Sequence, residues 1–200
     1  LKSIRNMLAG SSGKKVNMTV KWDGAPAIIC GVNPENGKFF VGTKSVFNVN
    51  PKINYTTSDI SKNHGGELGN KLKIALRELA KLNITGILQG DFLFSKSDLK
   101  TASIDGESMI TFTPNTITYA VPVNSNIGKR IKRARMGIVF HTSYSGKKMA
   151  DLRAGFGTVS GRSGISSVFL ADAAYRDVSG SAKLTKSELS SLNNKLRMAE

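Results

Sequence analysis

Acidic residues are scarce in this chain, and cysteine is nearly absent. The 200 residues contain 14 Asp and Glu against 29 Lys and Arg, which gives a formal net charge of +15. The single cysteine, Cys30, excludes a disulfide within the chain and fits a reducing compartment. No run approaches the roughly 18 consecutive apolar residues that a membrane-spanning helix needs. We therefore expect a cytoplasmic protein without membrane contact.

The excess of positive charge favours nucleic acid as a partner, because sequence-independent binding to nucleic acid is largely neutralisation of phosphates. The charge is densest in residues 129–135, where five of seven residues are basic. This run precedes a predicted strand and could hold a nucleic-acid backbone beside a nucleotide site. A solvated basic loop is the alternative interpretation.

Two common patterns of catalytic chemistry are also missing. No Gly-x-x-x-x-Gly-Lys-Ser/Thr run is present, which excludes the usual P-loop. The two histidines, His64 and His141, have no companion cluster of His or Cys, so a zinc-type site is not expected. We predict no set of protein metal ligands.

Hydrophobic patterning predicts an α+β fold with antiparallel-rich sheets and flanking helices. A helix is predicted around Leu68–Leu82, and a second at the C-terminus, where Thr185 and Glu188 form a capping-box pair. Residues 48–64 are polar and are expected to form a long loop. The predicted strands are Val16–Lys21, Ala27–Val32, Lys38–Val41, Ile84–Phe94, Thr116–Val121 and Met136–Thr142.

The most informative run is Lys-Trp-Asp-Gly at residues 21–24. A lysine that closes a strand and is followed by x-Asp-Gly is a candidate covalent nucleophile for a nucleotide. Two further elements follow in order: a strand that ends on the basic residue Lys44, and a strand that carries Asp91 after a glycine. Because these side chains lie at strand ends, we expect Lys21, Asp23 and Asp91 to converge on one pocket.

Together the three elements resemble the covalent nucleotidyltransferases, which include ATP-dependent DNA ligases, RNA ligases and mRNA capping enzymes. Residues 21–48 more closely resemble ligase-like proteins of large tailed phages. The resemblance implies an ATP-grasp-like nucleotidyltransferase domain that uses ATP and Mg²⁺ and forms a lysyl-AMP intermediate. Its partners would be the nucleotide and a nucleic acid with 5′-phosphate ends. DNA or RNA as substrate, and ATP or GTP as nucleotide, remain open.

The resemblance also implies a role for each matching residue. Lys21 corresponds to the nucleophile, and Asp23 completes the catalytic motif. Lys44 corresponds to a basic residue that contacts sugar or phosphate, and Asp91 to a carboxylate that contacts the ribose. The strand at residues 136–141 corresponds to one whose aromatic ring stacks on the purine. The residues expected at the nucleotide are Val20, Lys21, Gly24, Lys44, Asp91 and Phe140.

Attack on a phosphate requires a neutral lysine amine, because the protonated nitrogen has no free electron pair. Lysine side chains are almost wholly protonated near pH 7. A neighbouring cation, desolvation or a divalent metal on the phosphates favours the neutral form and offsets charge in the transition state. Lys44, the basic residue at the end of the second element, can supply such a cation.

The family's later motifs, Glu-Gly-x-Val-x-Lys and a strand with Lys-x-Lys, are absent after Phe140. We therefore expect a truncated domain, with residues 1–145 as its core. Residues 146–200 are expected to be its basic, Gly/Ser-rich continuation with a C-terminal helix, and such a piece is expected to be inactive alone. The alternatives are a non-catalytic basic nucleic-acid-binding protein and a phage structural protein with a degenerate nucleotide pocket.

Overall fold

The structure is a computed structural model that describes residues 20–156, 165–173 and 185–198. These residues form an α+β arrangement with antiparallel-rich sheets and flanking helices, as the sequence predicts. The described strands are β1 (Ala27–Val32), β2 (Phe39–Gly42), β3 (Ile87–Ser95), β4 (Lys100–Ile104), β5 (Glu107–Phe112), β6 (Tyr119–Pro122), β7 (Met136–Ser145), β8 (Arg153–Phe156) and β9 (Val168–Ala171). The described helices are α1 (Thr57–Asn63), α2 (Gly66–Leu79), α3 (Asn126–Arg133) and α4 (Lys186–Met198).

Six strands form the main sheet, in the order β2-β1-β3-β7-β8, with β9 pairing in parallel with β7. The other pairings in this sheet are antiparallel. Strands β4, β5 and β6 form a second, three-stranded antiparallel sheet. Strands β1 and β2 form an antiparallel hairpin, with Cys30 opposite Val41.

One face of the main sheet is covered by α2. This helix forms because its apolar residues recur at helical spacing, and Leu72, Ala75 and Leu79 are fully buried. They pack in one cluster with Cys30 of β1 and Phe92 of β3. Burial raises the pKa of the Cys30 thiol, which fits the expected structural cysteine.

The opposite face of the main sheet is covered in two places. Towards one end, Leu93 of β3 packs in a cluster with Phe112 of β5 and Ile131 of α3. Towards the other end, Ile87 of β3 packs in a cluster with Val46, which lies in a 3₁₀ turn after β2. The stretch of β3 between these two clusters carries polar residues on the same face.

One local prediction is wrong, and another lies mostly outside the described residues. Residues 48–64 are not one loop, because α1 occupies part of them. A capping box starts this helix: the Thr56 hydroxyl accepts from the Asp59 N–H, and the Asp59 carboxylate accepts from the Thr56 N–H. The predicted strand Val16–Lys21 has its first four residues outside the described part, and residues 20–24 have no regular secondary structure.

The chain beyond residue 145 contributes β8 and β9 to the main sheet. The described residues up to Ala173 form one compact unit, and α4 belongs to a second. The capping box of α4 is confirmed: the Thr185 N–H and hydroxyl donate to the Glu188 carboxylate, and the Glu188 N–H donates to the Thr185 hydroxyl. None of the helices described is long and apolar enough to cross a membrane.

Candidate functional site

The predicted nucleophile motif lies directly against β3. A Cβ atom on Gly24 would come within 2.6 Å of the Asp91 Cβ, so only glycine fits here without displacement. The neighbouring backbone is tied to the same strand, because the Ala25 N–H donates to the Phe92 carbonyl and the Phe92 N–H donates to the Pro26 carbonyl, each at 3.0 Å. Two sequence elements that are far apart along the chain are therefore in contact.

Asp91 is the centre of a group of ionisable side chains. Its side chain is 19% exposed, and its Oδ2 lies 3.6 Å from His141 Nε2. Desolvation raises the pKa of the Asp91 carboxyl, while the charges of His141, Lys21 and Lys44 act to lower it. The structure thus brings Lys21, Lys44 and Asp91 together, with His141 added. We call these four residues the charged cluster.

The two lysines reach the cluster from irregular or tightly turned backbone. Lys44 begins the 3₁₀ turn after β2, and the Thr43 hydroxyl caps that turn by accepting from the Ser45 N–H at 3.3 Å. Both Lys21 and Lys44 are exposed. Residues on either side of Lys21 are fixed: the Val20 N–H donates to the Ala173 carbonyl at 2.9 Å, and the Trp22 ring lies 5.1 Å from that of Tyr119.

Asp23 is held by a loop rather than left open to a ligand. Its Oδ1 accepts from Asn115 Nδ2 at 2.9 Å, and its Oδ2 accepts from the Thr116 N–H and hydroxyl at 2.7 Å and from the Ile117 N–H at 2.8 Å. Its own N–H donates to the Tyr119 hydroxyl at 2.7 Å. The hydrogen bonds from Thr116, Asn115 and Ile117 hold the pKa of Asp23 well below its usual range. Asp23 therefore anchors the motif to the loop before β6.

Phe140, expected to stack on the base, is not brought to the charged cluster. On β7, Phe140 pairs with Gly90, whereas Val139 pairs with Asp91. Side chains alternate along a strand, so Phe140 and Asp91 lie on opposite faces. The Phe140 ring is 2% exposed and packs in the core with Leu72 of α2. This placement corrects the expectation, because a ligand on the Asp91 face cannot reach the ring.

The sequence did not identify an aromatic pair on the Asp91 face. Gln89 lies two residues before Asp91 on β3, and the two share a face because both pair in regular register with β1. The Tyr144 hydroxyl donates to Gln89 Oε1 at 2.6 Å, and the Tyr144 ring lies 5.1 Å from the Phe47 ring. Phe47 is 42% exposed. The alternation around Gln89 and Asp91 is the one sequence signal that points to this side of the site.

Among the comparisons with known proteins, one gave a match, and that match covers the full chain. A family model matches residues 1–200. The chain belongs to DUF6267, a family of unknown function. No curated protein and no solved structure matches it. Membership in DUF6267 supplies no activity, so the function has to be argued from the charged cluster and its surroundings.

The described part of this DUF6267 chain contains no group of three or more His, Cys, Asp or Glu side chains that could hold a metal ion. Within the site, Asp23 already accepts four hydrogen bonds. Asp91 is more open, with His141 at 3.6 Å. Mg²⁺ commonly binds one or two carboxylates together with substrate phosphates. Asp91 therefore fits Mg²⁺ only when phosphates supply other ligands.

Proposed function

We propose that this chain is an ATP-dependent polynucleotide ligase-like nucleotidyltransferase that forms a lysyl-AMP intermediate on Lys21. The observation that supports it best is the contact between Gly24 and Asp91 at a carboxylate that also feels the charges of Lys21 and Lys44. Residues from all three elements of the nucleotidyltransferase pattern thereby share one site. Lys21 and Lys44 come from two separate segments of the chain, and both act electrostatically on the Asp91 carboxylate of β3.

The proposed fold is an ATP-grasp-like nucleotidyltransferase domain. Two antiparallel-rich sheets and their packing support this proposal. Along β3, Asp91 lies between Ile87, which packs beneath the 3₁₀ turn, and Leu93, which packs against the three-stranded sheet. The charged cluster thus lies on a stretch of the sheet flanked by two packed layers, a place where a nucleotide could bind.

In the proposed step, the neutral Lys21 amine attacks the α-phosphorus of ATP. A bond forms between Nζ and phosphorus, the bond from phosphorus to the bridging oxygen breaks, and pyrophosphate leaves with that electron pair. The amine releases a proton to solvent. Lys44 stabilises the step by its positive charge beside the phosphates. The AMP is then available for transfer to a 5′-phosphate end of a nucleic acid.

The structure offers one ligand position for Mg²⁺ near these groups, the Asp91 carboxylate. Bound Mg²⁺ would neutralise phosphate charge during transfer. His141 Nε2 lies 3.6 Å from the Asp91 carboxylate, beside this proposed ligand position.

We assign binding of the nucleobase to Phe47 and Tyr144 in place of Phe140. Their rings lie on the same face as Asp91, and Phe47 is open to solvent. Aromatic rings stack on nucleobases with little dependence on sequence. Gln89 uses its carbonyl oxygen for the Tyr144 hydroxyl, which leaves its amide N–H groups to donate to a base edge.

The test is covalent labelling of the protein expressed from its complete reading frame, with ATP that carries ³²P on the α-phosphate and with Mg²⁺, followed by peptide mapping. We expect label on Lys21 and none in Lys21→Arg, because guanidinium stays protonated. Lys38→Arg is the matched control, since Lys38 is an exposed lysine outside the cluster and should label as the wild type does. Label on another lysine, or no label with either ATP or GTP, would reject the proposal.

A non-catalytic nucleic-acid-binding protein is the second candidate. The observation that favours it is Asp23, whose carboxylate is fully engaged in holding a loop. On this view the motif has only a structural role. The same labelling experiment separates the two candidates, because a binding protein would retain nucleic acid without acquiring AMP.

A further inference from the structure

Two cavities lie side by side at the C-terminal end of β3. The first has a volume of about 540 Å³ and is lined by Ile74, Arg77, Ser95, Lys96, Ser97 and Arg135. The second has a volume of about 440 Å³, and its polar lining includes Lys96, Lys100, Thr101, Ser108 and Lys132. Lys96 lines both cavities, so they are adjacent.

All charged side chains that line the two cavities are cationic. We call these five exposed residues the basic end surface: Arg77, Lys96, Lys100, Lys132 and Arg135. The nearby acids are already engaged. Glu78 has a side chain with 0% exposure that contacts Arg77 at 2.8 Å, Lys81 at 2.5 Å and Arg135 at 3.7 Å. Asp98 accepts from the N–H and hydroxyl of Ser95, each at 2.7 Å. Six cations, these five and Lys81, outnumber the two carboxylates, so a net positive charge remains on the surface.

The basic end surface is separate from the charged cluster. Ser95 is four residues from Asp91 on β3, or about 13 Å along a strand that rises about 3.3 Å per residue. The basic run at residues 129–135 was expected beside the nucleotide. Its members Lys132 and Arg135 instead line the cavities at this end of the strand.

We propose that the basic end surface binds the phosphodiester backbone of a nucleic acid strand. A single small anion would fill one cavity only, whereas a chain of phosphates can engage both cavities across Lys96. Hydroxyl groups of Ser97, Thr101 and Ser108 add neutral donors for phosphate oxygens. The apolar side chains in the lining are buried or half-buried, so none projects as the apolar anchor of a membrane-binding face: Ile74, Leu99, Ile110 and Val123.

This inference depends on the proposed function in one respect, which is that the bound strand is the one to be joined. Binding of the strand itself does not require Lys21. The two proposals can therefore fail separately, since one is read from binding and the other from covalent label.

The experiment is a titration of a fluorescent 30-nucleotide single strand of mixed sequence, followed by anisotropy at several salt concentrations. In Lys100→Glu/Lys132→Glu we expect affinity to fall at least tenfold and the slope of log affinity against log salt to shrink by about 2, one for each lost phosphate contact. The milder pair Lys100→Gln/Lys132→Gln should shift both in the same direction. Lysyl-AMP formation should be unchanged.

The matched control is Lys38→Glu/Lys147→Glu, which changes the net charge equally at exposed positions outside both cavities. We expect it to bind within about twofold of the wild type, apart from general charge effects. Equal weakening in the control, or wild-type binding by Lys100→Glu/Lys132→Glu, would overturn the proposal. The proposal would also be overturned if Lys100→Glu/Lys132→Glu lost binding to phosphatidylserine vesicles but kept binding to the strand. The surface would then be one that binds lipid. Lost strand binding in a protein that never labels would support this surface and reject the nucleotidyltransferase.

Discussion

Gly24 and Asp91 are in such close contact that a Cβ atom on Gly24 would lie 2.6 Å from the Asp91 Cβ. We predict that Gly24→Ala destabilises the protein by about 1–3 kcal/mol, the usual cost of overpacking, and greatly lowers lysyl-AMP formation by displacing Lys21 from Asp91. Thermal unfolding and labelling measure the two effects. Gly86→Ala is the control, because a Cβ there meets no atom within 4 Å. Normal labelling in Gly24→Ala would show that the close contact is not needed for the site.

Asp23 joins the nucleophile motif to the loop at residues 115–117. We predict that Asp23→Ala lowers the melting temperature and exposes the backbone N–H groups of Thr116 and Ile117 to faster hydrogen exchange, since both donate to the lost carboxylate. Asp151→Asn, an exposed carboxyl outside this loop, should leave both measurements unchanged. Unchanged exchange at Thr116 and Ile117 in the Ala variant would contradict the anchoring role.

The carboxylate of Glu78 should make the free energy of unfolding depend on pH in the acid range. Desolvation acts to raise its pKa, but hydrogen bonds from Lys81 and Arg77 outweigh this and hold the pKa at about 2. Because this pKa lies below the unfolded value of about 4.3, the contribution to stability is fully present above pH 4.3. It is lost as the pH falls towards 2, since the unfolded chain binds the proton first.

The measurement is the unfolding free energy of the wild type and Glu78→Gln between pH 7 and pH 3. At pH 7 we expect Glu78→Gln to be less stable by about 1.5–3 kcal/mol, the usual contribution of hydrogen bonds to a charged group, since the partner cations are exposed and remain solvated. The difference should shrink as the pH falls. Glu107→Gln, at an exposed glutamate, is the control. A constant difference across this range would show that Glu78 does not titrate as the structure predicts.

How much of the fold could be predicted from the sequence depends on how strong each local pattern is. Helix α2 spans four turns, and its Leu72 and Leu79 repeat clearly, so its position could be predicted. Helix α1 has only seven residues and one buried side chain, Ile60, which is too little for a helical period to appear. The capping box at Thr56 was the only available signal.

The same reasoning explains the different outcomes for Asp91 and Phe140. Asp91 stands out as a carboxylate in an apolar strand, and its place could be predicted from order and spacing. Strand β7 is buried on both faces from Met136 to Phe140, so an unbroken apolar run does not reveal which face each ring takes. A register shift in the pairing of β3 with β7 leaves His141 unpaired opposite Gln89 and Gly90, and nothing in the sequence marks such a bulge.

The last prediction concerns the part of the site that is proposed to bind the nucleobase. Phe47 is 42% exposed and lies 5.1 Å from Tyr144, ring to ring, on the Asp91 face. Stacking of a base on an aromatic ring contributes about 1–3 kcal/mol. We therefore expect Phe47→Ala to raise the ATP concentration needed for half-maximal labelling by about 5- to 150-fold, with little change in the labelling rate at saturation. The melting temperature should hardly change, because the ring is largely outside the core.

Val49→Ala is the control for this prediction, since Val49 is 99% exposed and lies two residues further along the same segment. It should label with the ATP dependence of the wild type. A second comparison uses Phe140→Leu, which removes a ring from the opposite face of the sheet and should lower stability without a specific change in ATP dependence. If Phe140→Leu raised the ATP requirement while Phe47→Ala did not, the base would have to bind on the α2 side. The assignment of Phe47 and Tyr144 would then be wrong.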